Sequence, residues 1–235
     1  MDMIGMFVAI VVVVVVAVIL WLAKTSALLK DQLIPQIPPN RQTFSLAKSQ
    51  MAFWFVIILG SFLYLFIRSN STDVITSQTV MLMGISGFTA AGGIIVDNIR
   101  DTPEDVLNDA LRALGLSSYQ DVLVLETEIT NLKALTNLPA PAKAQLNDKL
   151  LLLQTYKNRT HSFETRGWFN DMTTSAYGTA LHRLQSLVWT IILGIIFIYQ
   201  VRQTGVMPHF NENLLALMGI SNAGYVGFKS NETQY

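Results

Sequence analysis

The pentapeptide Leu82-Met83-Gly84-Ile85-Ser86 returns as Leu217-Met218-Gly219-Ile220-Ser221, 135 positions further along a chain of 235 residues. Followed backwards without a gap, the same register pairs Gln50 with Gln185, Trp54 with Trp189, Phe62 with Phe197 and Tyr64 with Tyr199. Followed forwards, it pairs Gly92 with Gly227. Five consecutive identities joined to an aligned Gln-x-x-x-Trp pattern indicate a duplicated unit. Each copy runs from a basic residue (Lys48 or Arg183) through a Gln and a Trp one helical turn later. An apolar span, a short loop and a returning apolar span follow. Two such units inserted in the same sense are related by an axis along the membrane normal.

The segments between these landmarks predict an all-α, polytopic membrane protein with five transmembrane helices. Only 14% of residues are charged, against roughly 25% in soluble domains, and the mean hydropathy is +0.41. Ile4 to Ala23 carries no charge, and about 20 such residues cross a hydrocarbon core of roughly 30 Å. Its start, Met1-Asp2-Met3, lacks the basic residues of a cleaved leader, so it reads as a retained span. Met51–Ile67, Thr79–Val96, Leu184–Val201 and about Met207–Phe228 supply the others. The last has an apolar core of only about 15 residues and is counted as a span because its counterpart is clearly apolar. The predicted division is 1–23 an N-terminal span, 24–50 a linker, 51–96 and 184–228 the two hairpins, 97–183 a polar insert and 229–235 a tail. By the positive-inside rule, Lys24, Lys30, Arg41, Lys48, Arg100, Arg183 and Lys229 place linker, insert and carboxyl end in the cytoplasm and the amino end outside.

The insert holds 20 of the 32 charges and reads as helical. Thr102-Pro103-Glu104-Asp105 is a helix start, with Leu107, Leu111 and Leu114 as its apolar stripe and Gly115 as its stop. Helices from Ser118 to Thr136 and from Ala142 to Asn158 form a predicted hairpin broken by Pro139 and Pro141. Some 60 residues bury little core alone, so the insert is expected to pack against its neighbours, its own copies or a cytoplasmic protein partner. Trp168-Phe169 reads as a headgroup-level contact or a partner contact.

The residues resemble those of uncharacterised bacterial multi-pass inner-membrane proteins. The resemblance rests on Ser45-Leu46-x-x-x-Gln50-Met51-Ala52-x-Trp54-Phe55 with Leu82–Ser86, and on His182-Arg183-x-Gln185-x-x-x-Trp189-Thr190 with Leu217–Ser221 and Gly227-Phe228-Lys229. It covers both hairpins, about half the chain. It implies the architecture and a bacterial inner membrane, and brings no activity with it. The copies differ where Met51 meets Ser186 and throughout the outer loops.

Composition narrows the function classes. Without Cys there is no thiol nucleophile or iron–sulfur cluster, and a net charge of zero with no basic run offers nothing to nucleic acid. His161, His182 and His209 lack metal-ligand spacing, and no phosphate-binding or nucleophile motif is present, so no cofactor and no enzyme are expected. Asn70, Asn158 and Asn231 begin incidental glycosylation patterns. The spans lack ionisable residues at depth, which argues against a proton-coupled carrier. What remains is a self-associating membrane anchor or scaffold, its contacts set by small faces at Gly219, Ala223 and Gly227 and at Gly84, Gly87, Ala91 and Gly92. The plainer reading of those faces is packing between the two hairpins of one chain. The alternative function is an oligomeric pore lined by Ser61, Ser86, Thr89, Thr190, Ser221 and Asn222, residues that would otherwise make interhelical hydrogen bonds.

Overall fold

The computed structural model of the chain describes residues 3–31, 34–99, 103–135, 137, 139–160, 163–175 and 178–231. A backbone in lipid must satisfy its polar groups internally, which the long apolar stretches do as helices. In chain order the elements are α1 (Met3–Thr25), α2 (Leu46–Ser69), α3 (Ser77–Ile99), α4 (Pro103–Ala113), α5 (Tyr119–Ala134), α6 (Ala140–Arg159) and α7 (Trp168–Thr173). A two-residue ribbon, β1 (Thr174–Ser175) with β2 (Gly178–Thr179), precedes α8 (Leu181–Thr204) and α9 (Glu212–Asn231). Among the described residues four helical stretches are long and apolar enough to cross a bilayer: Met6–Thr25, Leu46–Ser69, Ser77–Val96 and Leu181–Thr204. Helix α9 is not among them, because Glu212, Asn213, Ser221, Asn222 and Lys229 dilute its apolar residues.

The hairpins share boundaries in the register read from the sequence. Leu46 and Leu181 open α2 and α8, Ser69 and Thr204 close them, and Ser77 and Glu212 open the returning helices. The two long helices stop alike. Asn70 (φ 53°) and Gly205 (φ 70°) turn left-handed and donate their N–H to the carbonyls of Phe66 and Val201, a common helix stop. Helix α3 lies along α9, α2 along α8, and α1 against α2. The core between them holds Trp54, Ile58, Leu65, Leu82, Phe197 and Met218, capped by Met207 and Phe210 from the segment between α8 and α9. Thr76 joins the loops by donating to the Pro208 carbonyl at 3.2 Å.

The insert does not stand as a unit of its own, because the linker completes its core. Ile34 and Ile37, each 1% exposed, pack with Leu107 and Leu111 of α4, Tyr119 and Val122 of α5, Tyr156 of α6 and Phe163. The linker backbone also pairs with the chain after α6: Thr43 N–H donates to Phe163 O and Thr165 N–H to Arg41 O. Arg41 holds Glu126 at 2.7 Å, and Gln36 donates to Glu104. The predicted helices are present within a few residues of their expected bounds, with Gly115 at φ 69° ending α4. The Asp121 carboxylate accepts the Ser117 and Ser118 amides at the start of α5. Thr102 and Thr136, the expected cap and end, lie outside the described residues.

Burial lifts the Glu164 carboxyl above its usual range, although the Tyr156 hydroxyl donates to it at 3.1 Å. Replacing Ile34 with Ala should cost about 2–4 kcal/mol of insert stability, read as an earlier thermal transition of the detergent-solubilised chain. An unchanged transition would remove the linker from the insert core.

Candidate functional site

Where the insert meets the membrane helices, a cluster of charged side chains is withdrawn from water. Lys30, Arg183, Lys229 and Asp171 are buried, with Asp31 and Lys48 half-buried. They arrive from the linker, α2, α7, α8 and α9, so that five segments separated in sequence converge on one joint. Lys229 Nζ donates to Asp31 Oδ1 at 2.8 Å across 198 residues. Burial alone would raise the Asp31 carboxyl, but Lys229, Arg183 and the Ser45 hydroxyl outweigh it and hold it below the usual range. Lys30 Nζ donates to the Gln42 carbonyl at 2.9 Å and stands 3.3 Å above the Phe44 ring. Its own carbonyl receives Lys48 Nζ at 2.6 Å. Asp171 accepts the backbone N–H groups of Phe44 and Arg166 and the Thr165 hydroxyl. Arg183 donates to the Asp171 carbonyl and lies 5.5 Å from the Tyr225 ring. Both carboxylates are committed to donors. The joint acts as a clasp.

One turn deeper lies a ladder of neutral polar groups. Gln50 Nε2 crosses from α2 to the Ser186 and Thr190 hydroxyls on α8, each at 2.8 Å. Ser186 Oγ donates to Asn222 Oδ1 on α9 at 2.7 Å. The aligned Gln185 reaches Ser221 within its own hairpin at 3.3 Å. The aligned glutamines therefore do different jobs, and the cause is local. Ser186 and Thr190 correspond to Met51 and Phe55, which offer Gln185 no acceptor. The tryptophans diverge likewise: Trp54 is fully buried, its ring 6.1 Å from Phe197, while Trp189 is half-exposed. Ser61, Ser86, Thr89, Thr190, Ser221 and Asn222 are all buried within the single chain. Ser86 and Thr89 donate to carbonyls of their own helix.

The small residues singled out in the sequence mostly do not join the hairpins. A Cβ placed at Gly84, Gly87, Gly219 or Gly227 would meet nothing within 4 Å, and of the glycines in this set only Gly92 is close to the other hairpin, 3.1 Å from Val226. Ala91 and Ala223 are exposed. Close approach occurs instead at Gly194, where a Cβ would lie 2.5 Å from the Phe53 ring, and at Gly60, 2.8 Å from Val12. Gly194 lacks the four-residue spacing that drew attention elsewhere; its signal is a lone glycine inside an otherwise bulky span. Trp168 and Phe169 are exposed at the start of α7, whose Met172 is buried beneath the bundle with Leu46, Leu187 and Tyr225. Among the described residues no group of three or more His, Asp or Glu converges as a metal site; His161 lies outside them.

Burial lowers the Lys30 ammonium to about 8, the Asp171 carboxylate opposing the shift. The fold thus binds this proton less tightly than the unfolded chain does. The penalty is full below pH 8 and fades as pH rises towards the ordinary lysine value of about 10.5. The stability difference between wild type and Lys30→Met should move in favour of the wild type across that window, by roughly 1–3 kcal/mol. Parallel unfolding curves at pH 7.5 and 10 would contradict it. Asp31→Asn should cost roughly 3–5 kcal/mol at pH 7, because it takes the carboxylate from a buried ammonium.

No family model matches the chain, and neither does any curated protein or solved structure. The functional reading therefore rests on the chemistry of these residues.

Proposed function

We propose that the protein is a non-enzymatic, self-associating integral membrane protein, built on duplicated hairpins, that presents its helical insert to a cytoplasmic partner or assembly. In this reading α9 is the fifth span, the amino end lies outside, and the membrane is the bacterial inner membrane. The shared hairpin boundaries and the burial of α9 along α3 support the duplication and the fifth span. The basic residues gathered at the insert end support the orientation. Exposed Val124, Leu135 and Leu151 on the insert are apolar contacts available to the partner, and Trp168 with Phe169 suits the headgroup layer.

The observation that carries self-association is the open groove between α3 and α9. It encloses about 560 Å³ and is lined by Gly84, Phe88, Gly219, Asn222 and Ala223. Asn222 is 2% exposed, and while its Oδ1 accepts from Ser186 its Nδ2 has no acceptor. An amide donor left unpaired at membrane depth is costly, and small residues beside it admit another backbone closely. The occupant that suits a groove lined by small residues is a transmembrane helix of a second copy. The pore reading has less in its favour, since the polar side chains it needs are turned into the single-chain core.

Gly219→Leu projects into the groove from a position where a Cβ meets no atom within 4 Å. It should weaken association about tenfold, or roughly 1.4 kcal/mol, with helicity unchanged. The measurement is light-scattering mass in detergent across a dilution series. A wild-type monomer, or identical series for both proteins, would end the proposal.

A further inference from the structure

An open groove of about 590 Å³ lies among α1, α2 and α8, in the half of the bundle away from the insert. Its floor is one stripe of α2, Ile57, Gly60, Ser61 and Tyr64, at the spacing that keeps side chains on one helix face. Val8 and Val12 of α1 make one wall, and Ile198 and Arg202 of α8 the other. The stripe is about 10 Å long at 1.5 Å per residue, a third of a hydrocarbon core of roughly 30 Å. That length suits an acyl chain better than a second spanning helix packed along the groove. The polar groups are ordered by depth. At the outer mouth stand Arg202, in the last turn of α8, and Arg68, in the last turn of α2. Tyr64 draws Arg68 onto the groove, its hydroxyl accepting Nη1 at 2.9 Å and keeping its own proton to donate. Both arginines are exposed, and neither is paired with Asp73 or Glu212, the described carboxylates at this end. Ser61 lies about 4–5 Å deeper along α2 than Tyr64. It is 7% exposed, and its hydroxyl makes no hydrogen bond among the described residues, which is costly in an apolar setting.

The occupant that answers this order has an anion outermost, an acceptor oxygen a few ångströms below it and an apolar body beneath. We infer that the groove binds one phospholipid of net negative charge from the leaflet away from the insert. Its phosphate lies on Arg202, Arg68 and Tyr64, an ester carbonyl on Ser61 Oγ, and an acyl chain against Val12, Val56 and Ile57. The mouth selects the class. Guanidinium groups match phosphate oxygens through planar, doubly donating forks. With no described carboxylate paired to either arginine, the ammonium of a zwitterionic headgroup would meet two like charges, which a net negative headgroup does not. The inference rests on the placement of α1, α2 and α8 as membrane spans and not on self-association.

The test titrates full-length protein in nonionic detergent with phosphatidylglycerol, or with phosphatidylcholine of the same acyl chains, and counts bound lipid by native mass spectrometry. Phosphatidylglycerol should fill one site more tightly than phosphatidylcholine. Arg202→Gln should lower its affinity about fivefold, the value of one cation facing an anionic lipid, and Arg202→Gln with Arg68→Gln should remove the preference. Lys24→Gln, which removes an exposed cation in the last turn of α1 at the insert end, should change nothing. Ser61→Leu, projecting from the floor, should weaken binding of phosphatidylglycerol with helicity unchanged. Equal affinity for the two lipids, or equal losses from Lys24→Gln and Arg202→Gln, would overturn the assignment, leaving lipid drawn to any cationic helix end. Binding untouched by Ser61→Leu would put the lipid outside the groove and overturn it as well. Release of the chain from membranes by an alkaline carbonate wash would show that the membrane placement itself has failed, and the lipid site with it.

Discussion

The ion pair between Lys229 and Asp31 is the contact on which the arrangement depends, because it ties the end of the last helix to the segment that follows the first. Withdrawing two charges from water costs several kcal/mol per ion, and their attraction repays this only when further hydrogen bonds complete the set. The joint meets that condition through backbone and side chain together: Ser45 assists Asp31, Gln42 accepts from Lys30, and Asp171 takes three donors. Such a network contributes little net stability compared with an apolar core of equal volume, but it tolerates few alternatives. It fixes which ends of the helices lie together, and thereby sets the insert squarely beneath the bundle instead of letting it hang from two flexible strands.

The same joint shows why the insert could be recognised from the sequence while its true extent could not. Periodic leucines announced α4, α5 and α6, since a helix must turn one stripe inward. Ile34 and Ile37 belong to no periodic pattern; they sit among Pro35, Pro38 and Pro39 and resemble a spacer. Their role follows from backbone pairing between Thr43, Arg41, Phe163 and Thr165, contacts some 120 residues apart that no local rule encodes. The hairpins were legible for the opposite reason. The recurring residues relate two distant segments in the sequence itself, and the boundaries of α2 and α8 and their left-handed stops at Asn70 and Gly205 fall in that register. Helix α9 stood at the edge of legibility, its apolar character thinned by residues whose partners lie on other helices.

Packing glycines expose a further limit of reading by spacing. Small residues four apart mark a face where a backbone could come close, but the face alone does not say which backbone. Gly194 and Gly60 accept Phe53 and Val12 from within the chain, and neither belongs to such a series. The series at Gly219, Ala223 and Gly227 is left facing outward. A bulky neighbour on an adjoining helix, as Phe53 is for Gly194, is the better guide to intramolecular contact, and it becomes recognisable only once the helices are aligned against one another.

Differences between the two hairpins explain where the unspent polar groups are. In a perfectly repeated pair, Gln50 and Gln185 would face equivalent apolar residues, and neither could be satisfied. Where the first hairpin has Met51 and Phe55, the second has Ser186 and Thr190, which are the acceptors of Gln50, and where the first has Gly87 the second has Asn222, the acceptor of Ser186. The hydrogen bonds thus pass from α2 to α8 to α9. They end at Asn222, on the groove where α9 meets α3. Lipid tails offer such an amide no oxygen. The asymmetry between the hairpins thus completes the hydrogen bonding of Gln50 and Ser186 and leaves the Asn222 amide as its open end.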